Sequence, residues 1–150
     1  MTARGFALVE LMVVLAIAGA VATLVAPTLS SYARTAALQA AARELATSIN
    51  LGRQLAISRN MVVCVEVASP TNIRLRTGGC AGAIWTGPGT DRFGAIRISD
   101  SGAHQISSTA NVVFTSLGAA TPAGTYTLTN PTSNATRTVV VAATGRVSVR

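Results

Sequence analysis

The sequence predicts an α+β protein: a long N-terminal helix packed on an antiparallel β-sheet head. Three observations carry this. Apolar residues crowd the first 29 positions. From Leu29 to Arg59 apolar residues recur at spacings of three and four, and from Met61 onward the period changes to two. A helix followed by a run of strands places an antiparallel sheet against the helix. The 150 residues leave room for one ordinary domain and an N-terminal extension. Hydrophobic residues make up 49% of the chain and charged residues 11%, and the apolar excess sits at one end. That distribution argues for a membrane segment joined to an ordinary domain.

Met1 to Gly5 is a short polar leader, 1–5, with one charge at Arg4. From Phe6 to Ala26 only Glu10 and Thr23 interrupt a run of apolar or small residues. Such a run, about 31 Å long as a helix, matches a hydrocarbon core of roughly 30 Å. A transmembrane helix is therefore expected over 6–28, and Arg4 favours keeping its N-terminus cytoplasmic. A cleavable secretory signal is the alternative, since Ala18-Gly19-Ala20 and Ala20-Val21-Ala22 fit small-x-small sites. The length of the apolar run and the carboxylate of Glu10 oppose it. In a plain membrane anchor, a mid-helix carboxylate would cost roughly 2.5–3.5 kcal/mol, less near an end, which makes Glu10 a functional suspect.

These residues carry a resemblance. Gly5-Phe6-Ala7-Leu8-Val9-Glu10 resembles the type IV prepilin signature: a glycine, a phenylalanine, and a glutamate fifth in the mature chain. The resemblance implies a membrane peptidase that cuts between Gly5 and Phe6 and methylates the new amine of Phe6. It also implies a partner for Glu10, the Phe6 amine of a neighbouring subunit. In low dielectric a lone carboxylate is unfavourable, and pairing it with an ammonium would fix the axial register between helices. The alternative for Glu10 is a side chain that snorkels to the interface.

Pro27 should kink or locally melt the helix. Beyond it, an amphipathic helix is expected over 29–60, with Leu38, Ala41, Leu45, Ile49, Gly52 and Ala56 on its stripe and Arg34, Arg43, Arg53 and Arg59 mostly off it. Core packing is the plain reading of the stripe. The β-rich part, 61–150, has strand candidates at 61–67, 73–77, 95–99, 112–116, 125–129, 138–142 and 146–149, separated by turn residues such as Gly87-Pro88-Gly89. If the N-terminal segment takes the chain out of the cytoplasm, Cys64 and Cys80 form a disulfide by default, two free buried thiols being the alternative. Cys64, Cys80, Trp85, Phe93-Gly94-Ala95-Ile96 and Gly145-Arg146-Val147 together resemble the GspH/FimT group of minor pilins and pseudopilins. The resemblance implies a single-pass inner-membrane protein with a periplasmic head, 29–150, whose partners are other pilins or pseudopilins.

Little points to catalysis. His104, Asp100 and Ser101 lie within five residues of one another and cannot easily form a triad, so a surface loop is expected there. No metal-ligand spacing or phosphate-binding glycine loop appears, and no cofactor is expected. Net charge is +7 and every basic residue is arginine, which suits anionic partners. If 146–150 is a strand, Arg146, Ser148 and Arg150 share a face. Some FimT-type minor pilins, which this end resembles, bind DNA through a C-terminal Gly-Arg-x-Arg motif. Here Gly145-Arg146 matches, but Ser148 stands where the motif has its second arginine, and the next arginine is Arg150. The leading expectation is a structural subunit of a type II secretion or type IV pilus filament, which it helps initiate or cap. A DNA-binding minor pilin for DNA uptake is the alternative.

Overall fold

The computed structural model describes residues 3–98 and 104–150; the side chains of 3–7 and 23–28 lie outside that description. One helix, α1 (Ala3–Ser58), runs without interruption through Pro27, so the local melting expected there does not occur. Nine strands follow: β1 (Val63–Ser69), β2 (Asn72–Thr77), β3 (Ala83–Ile84), β4 (Ala95–Arg97), β5 (Gln105–Ser108), β6 (Val112–Phe114), β7 (Gly124–Thr129), β8 (Thr136–Val141) and β9 (Val147–Val149). The chain divides into two compact units, 1–36 and 37–150.

In the first unit, residues 8–22 of the helix are apolar around its whole circumference but for Glu10. Leu8, Leu11, Leu15 and Ile17 are each about 60% exposed in the isolated chain, and the shorter or branched residues between them are exposed as well. A helix apolar on all sides belongs inside a bundle or a bilayer. Among the described residues no helix is long and apolar enough to cross a membrane. The span expected over 6–28 takes in residues whose side chains lie outside the description.

In the second unit the sequence periodicity becomes a core. Leu38, Ala41, Leu45, Ile49 and Ala56 are buried to 5% exposure or less, joined by Ala42 and Leu55. Alanine and glycine on this stripe let the sheet come close: a Cβ on Gly52 would meet Leu75 and Val65 at 3.0 and 3.2 Å. The helix ends where Asn60 takes a positive φ of 49°, with Met61 N–H bonded to Ala56 O and Asn60 N–H to Ile57 O. That pair of bonds satisfies carbonyls of the last turn, and Met61 packs on the core.

The single sheet expected from the sequence is two. β3, β2, β1 and β6 form one, with β4 also on β2; β5, β7, β8 and β9 form the other, and all pairs are antiparallel. Their inner faces contribute Val63, Val65, Ile73, Leu75 and Phe114 from the first and Ile106, Tyr126, Leu128, Val139 and Val141 from the second. The seams are polar. Tyr126 donates from its hydroxyl to Val65 O at 3.0 Å and accepts from Val112 N–H at 3.3 Å, while Ile106 N–H reaches Pro70 O. The tyrosine thus ties β7 to the end of the β1–β6 pairing, which stops at Val65 and Val112.

Candidate functional site

The residues expected to carry function fall in three places. Gly5, Phe6 and Glu10 share the first turns of α1 in the N-terminal unit. Glu10 is exposed in the isolated chain, surrounded along the helix by Leu8, Val9, Leu11 and Met12. Apolar neighbours of this kind make a carboxylate costly in lipid unless it is paired or reaches the interface. The side chains of Gly5 and Phe6 lie outside the described residues.

Cys64 and Cys80 are joined as a disulfide, with Cα atoms 5.0 Å apart. Cys64 is fully buried on β1, on the face opposite Val63 and Val65, and Cys80 belongs to the turn between β2 and β3. Beside it Arg76 donates from Nε to Glu66 at 2.6 Å and from Nη1 to Gly82 O at 3.1 Å. The bond and the ion pair pin this turn to the outer face of the first sheet. Closing a loop of this length contributes on the order of 3 kcal/mol in the chain-entropy picture.

Arg146 and Arg150 flank β9, the end strand of the second sheet. Val140 pairs with Ser148, Ala142 N–H bonds to Arg146 O, and Thr138 and Arg150 exchange backbone bonds. Since Val139 and Val141 face the core, Arg146, Ser148 and Arg150 face outward, and both arginines are exposed. The register continues this face across the sheet: Arg150 stands beside Thr138, Thr138 opposite Thr127, and Thr127 opposite Ser107. No aspartate or glutamate occurs between Ser101 and Arg150.

Three residues behave differently from their sequence reading. His104, expected on a surface loop, is buried at 4% exposure, and burial lowers its imidazole pKa below the ordinary value. It leads directly into β5, whose Ile106 carries the chain into the core; Asp100 and Ser101 lie outside the described residues. Arg53, expected off the helix stripe, is half-buried and donates from Nε to Gly118 O at 3.0 Å. Tyr126 lies in a Thr-Tyr-Thr-Leu-Thr strand whose alternation by itself names no functional residue. The signal was a hydroxyl-bearing ring at an inward position, where a partner must exist. Burial pushes its phenol up to about 12.

Among the described residues no cluster of histidine, cysteine, aspartate or glutamate could hold a metal ion. A groove of about 310 Å³ between α1 and the Pro88–Gly89 loop is lined by Thr47, Asn50, Gln54 and neutral neighbours, with no acid, base or thiol.

Comparisons with known proteins agree with this anatomy. The family described as type II transport protein GspH matches residues 41–145, and the prokaryotic N-terminal methylation motif matches residues 1–26. No curated protein matches the chain significantly. The structure is similar to the type IV minor pilin FimU of Pseudomonas aeruginosa, at 18% identity and a TM-score of 0.57, covering 75% of this chain and 87% of that one. It is also similar to the minor pseudopilin EpsH from the Type 2 Secretion System of Vibrio cholerae, at 10% identity and a TM-score of 0.58, covering 75% and 95%. At these identities the two structures speak to the fold alone.

Proposed function

The chain belongs to the GspH family of type II transport proteins, and from that premise we propose that it is a minor pilin or pseudopilin that helps initiate or cap a filament. It is a structural subunit of a type II secretion or type IV pilus machine, not an enzyme. The observation that carries this is the methylation motif opening α1, whose residues 8–22 are apolar on every side but for one carboxylate, Glu10, among exposed aliphatic residues. In this reading 1–5 is a leader removed by prepilin peptidase, 6–28 anchors the precursor in the inner membrane, and 29–150 stands in the periplasm. After cleavage the Phe6 amine, methylated, meets Glu10 of a neighbouring pilin.

The test is the mass of protein extracted from membranes. The expected N-terminus is Phe6 with a methylated amine. An N-terminus near Val21 or Thr23 indicates an ordinary secretory signal and ends the reading. In the same strain Glu10→Ala should insert normally, because it removes a charge from the bilayer, yet be largely lost from filament fractions.

A second reading, DNA uptake, is favoured by the acid-free outer face of the second sheet, with Arg146 and Arg150 at its edge. Each phosphate contact adds roughly 0.9 to the slope of log affinity against log salt. Replacing both arginines by alanine should flatten that slope by about two units for all sequences alike. Undetectable binding at physiological salt, or a double variant that binds like the parent, removes this reading.

A further inference from the structure

The turn between β3 and β4 is built more firmly than an idle loop requires. Asp91 turns its carboxylate inward, where Oδ1 accepts the N–H groups of Phe93 and Ala95, both at 2.8 Å. Its own N–H bonds to Ala95 O, and Gly94 N–H bonds to Asp91 O. The Ala95 bond first, then that from Phe93 and the fields of Arg74 and Arg97, hold the Asp91 carboxyl below its ordinary pKa. Gly94 sits at φ 73°, against Ile84 and the Trp85 carbonyl, where a Cβ would not fit. This scaffold carries Phe93 at its tip, 60% exposed, with the Arg92 guanidinium 4.8 Å from the ring centre. Ile84, which lies against Gly94, is 39% exposed. A rigid aromatic beside an arginine has the composition of an interface core, and its ordering is complete before any partner arrives.

Charge says what kind of partner fits. Residues 37–150 hold ten arginines and four acidic residues. Two of the described carboxylates in this unit are taken up by its own arginines: Glu66 bridges Arg76, and Asp91 lies in the fields of Arg74 and Arg97. With ten arginines against four acids the head carries a formal net charge of +6, so two such heads repel and an acidic partner suits Arg92 better than a second copy.

We propose that the Asp91–Gly94 turn is a docking knob for the head of a different, acidic subunit, with Phe93 entering an apolar pocket and Arg92 meeting a carboxylate at its rim. The proposal rests on the filament reading above and names the neighbour: the head contacts are heterotypic.

Photo-crosslinking in cells that carry the native machine tests it. Benzoylphenylalanine is placed at position 93 of the full chain in one strain and at position 13, on the exposed apolar helix, in another. The expected position-93 adduct, identified by mass spectrometry, contains another pilin-like subunit whose head has net negative charge. Arg92→Glu should cut the yield of that adduct about tenfold, as expected for reversing a rim charge against an acidic partner. Phe93→Ser should leave the thermal midpoint of purified protein unchanged, which separates docking from folding. A position-93 adduct only with a second copy of this chain overturns the proposal, as does an adduct at position 13 with none at position 93. No adduct at either position removes the filament reading and the docking proposal together.

Discussion

Gly145→Ala is expected to cost the head about 2–6 kcal/mol, a large loss for one methyl group. Gly145 has φ 78°, in the left-handed region, where a non-glycine residue costs about 1–3 kcal/mol. A Cβ there would also fall inside the van der Waals contact distance of Gly118 O and within 3.0 Å of Arg53 Nε. Forcing that contact apart costs roughly another 1–3 kcal/mol. Gly118 O is the atom that accepts the Arg53 bond, so the turn before β9, the turn after β6 and the end of α1 meet at one place. Thermal unfolding of purified protein checks this, with an expected drop in midpoint of roughly 10–20 °C. A drop of only a degree or two would mean that the β8–β9 turn can rearrange without disturbing its neighbours. The Gly145-Arg146-Val147 motif is thus explained in part by packing before any ligand is considered.

Tyr126→Phe tests the seam between the sheets. The change keeps the ring and removes only the hydroxyl, leaving Val65 O and Val112 N–H buried without their partner. Each such group costs about 1–3 kcal/mol, so a loss on the order of 2–4 kcal/mol is expected. The phenol has a second readout. Its pKa is pushed from 10.0 to about 12 because burial disfavours the phenolate. A proton held more tightly in the folded state than in the unfolded chain stabilises fully below about pH 10. That contribution is lost as pH rises through about 12, and amounts to roughly 2–3 kcal/mol. Denaturant unfolding of the parent should therefore weaken over this window, while Tyr126→Phe should show less of the decline. An equal decline in both proteins would place the alkaline sensitivity elsewhere.

The parts of the fold legible in the sequence are those where a local period reports burial. The stripe from Leu38 to Ala56 did so at helical spacing, and each of the seven expected strands overlaps one in the structure. The two missed strands lack the signal. β3 is two exposed residues, Ala83 and Ile84, and β5 is Gln-Ile-Ser-Ser with only Ile106 inward. The division into two sheets was illegible for another reason: partners such as Cys64 and Val113 lie far apart in sequence, and no local pattern chooses between them. His104 sits in a polar stretch that reads as surface, yet it is buried because the next inward residue, Ile106, draws the chain into the core. At the candidate sites, the exposure of Glu10 and the shared outward face of Arg146 and Arg150 follow from patterns along the chain. The Phe93 turn does not, because its meaning depends on Asp91 folding back on it and on the charge of the whole head.

The pairing of β1 with β6 bears on the timing of folding. Val63 must find Phe114, and Tyr126 must find the carbonyl of Val65. While the chain is being made, α1 emerges first, and the β1–β2 hairpin offers the earliest cover for its apolar stripe, Val65 and Leu75 lying against Gly52. Contacts so distant in sequence close slowly, since chain entropy must be lost before they form. The topology therefore separates two events in time. The helix is complete early, while the head closes only after β6 and the strands of the second sheet have arrived.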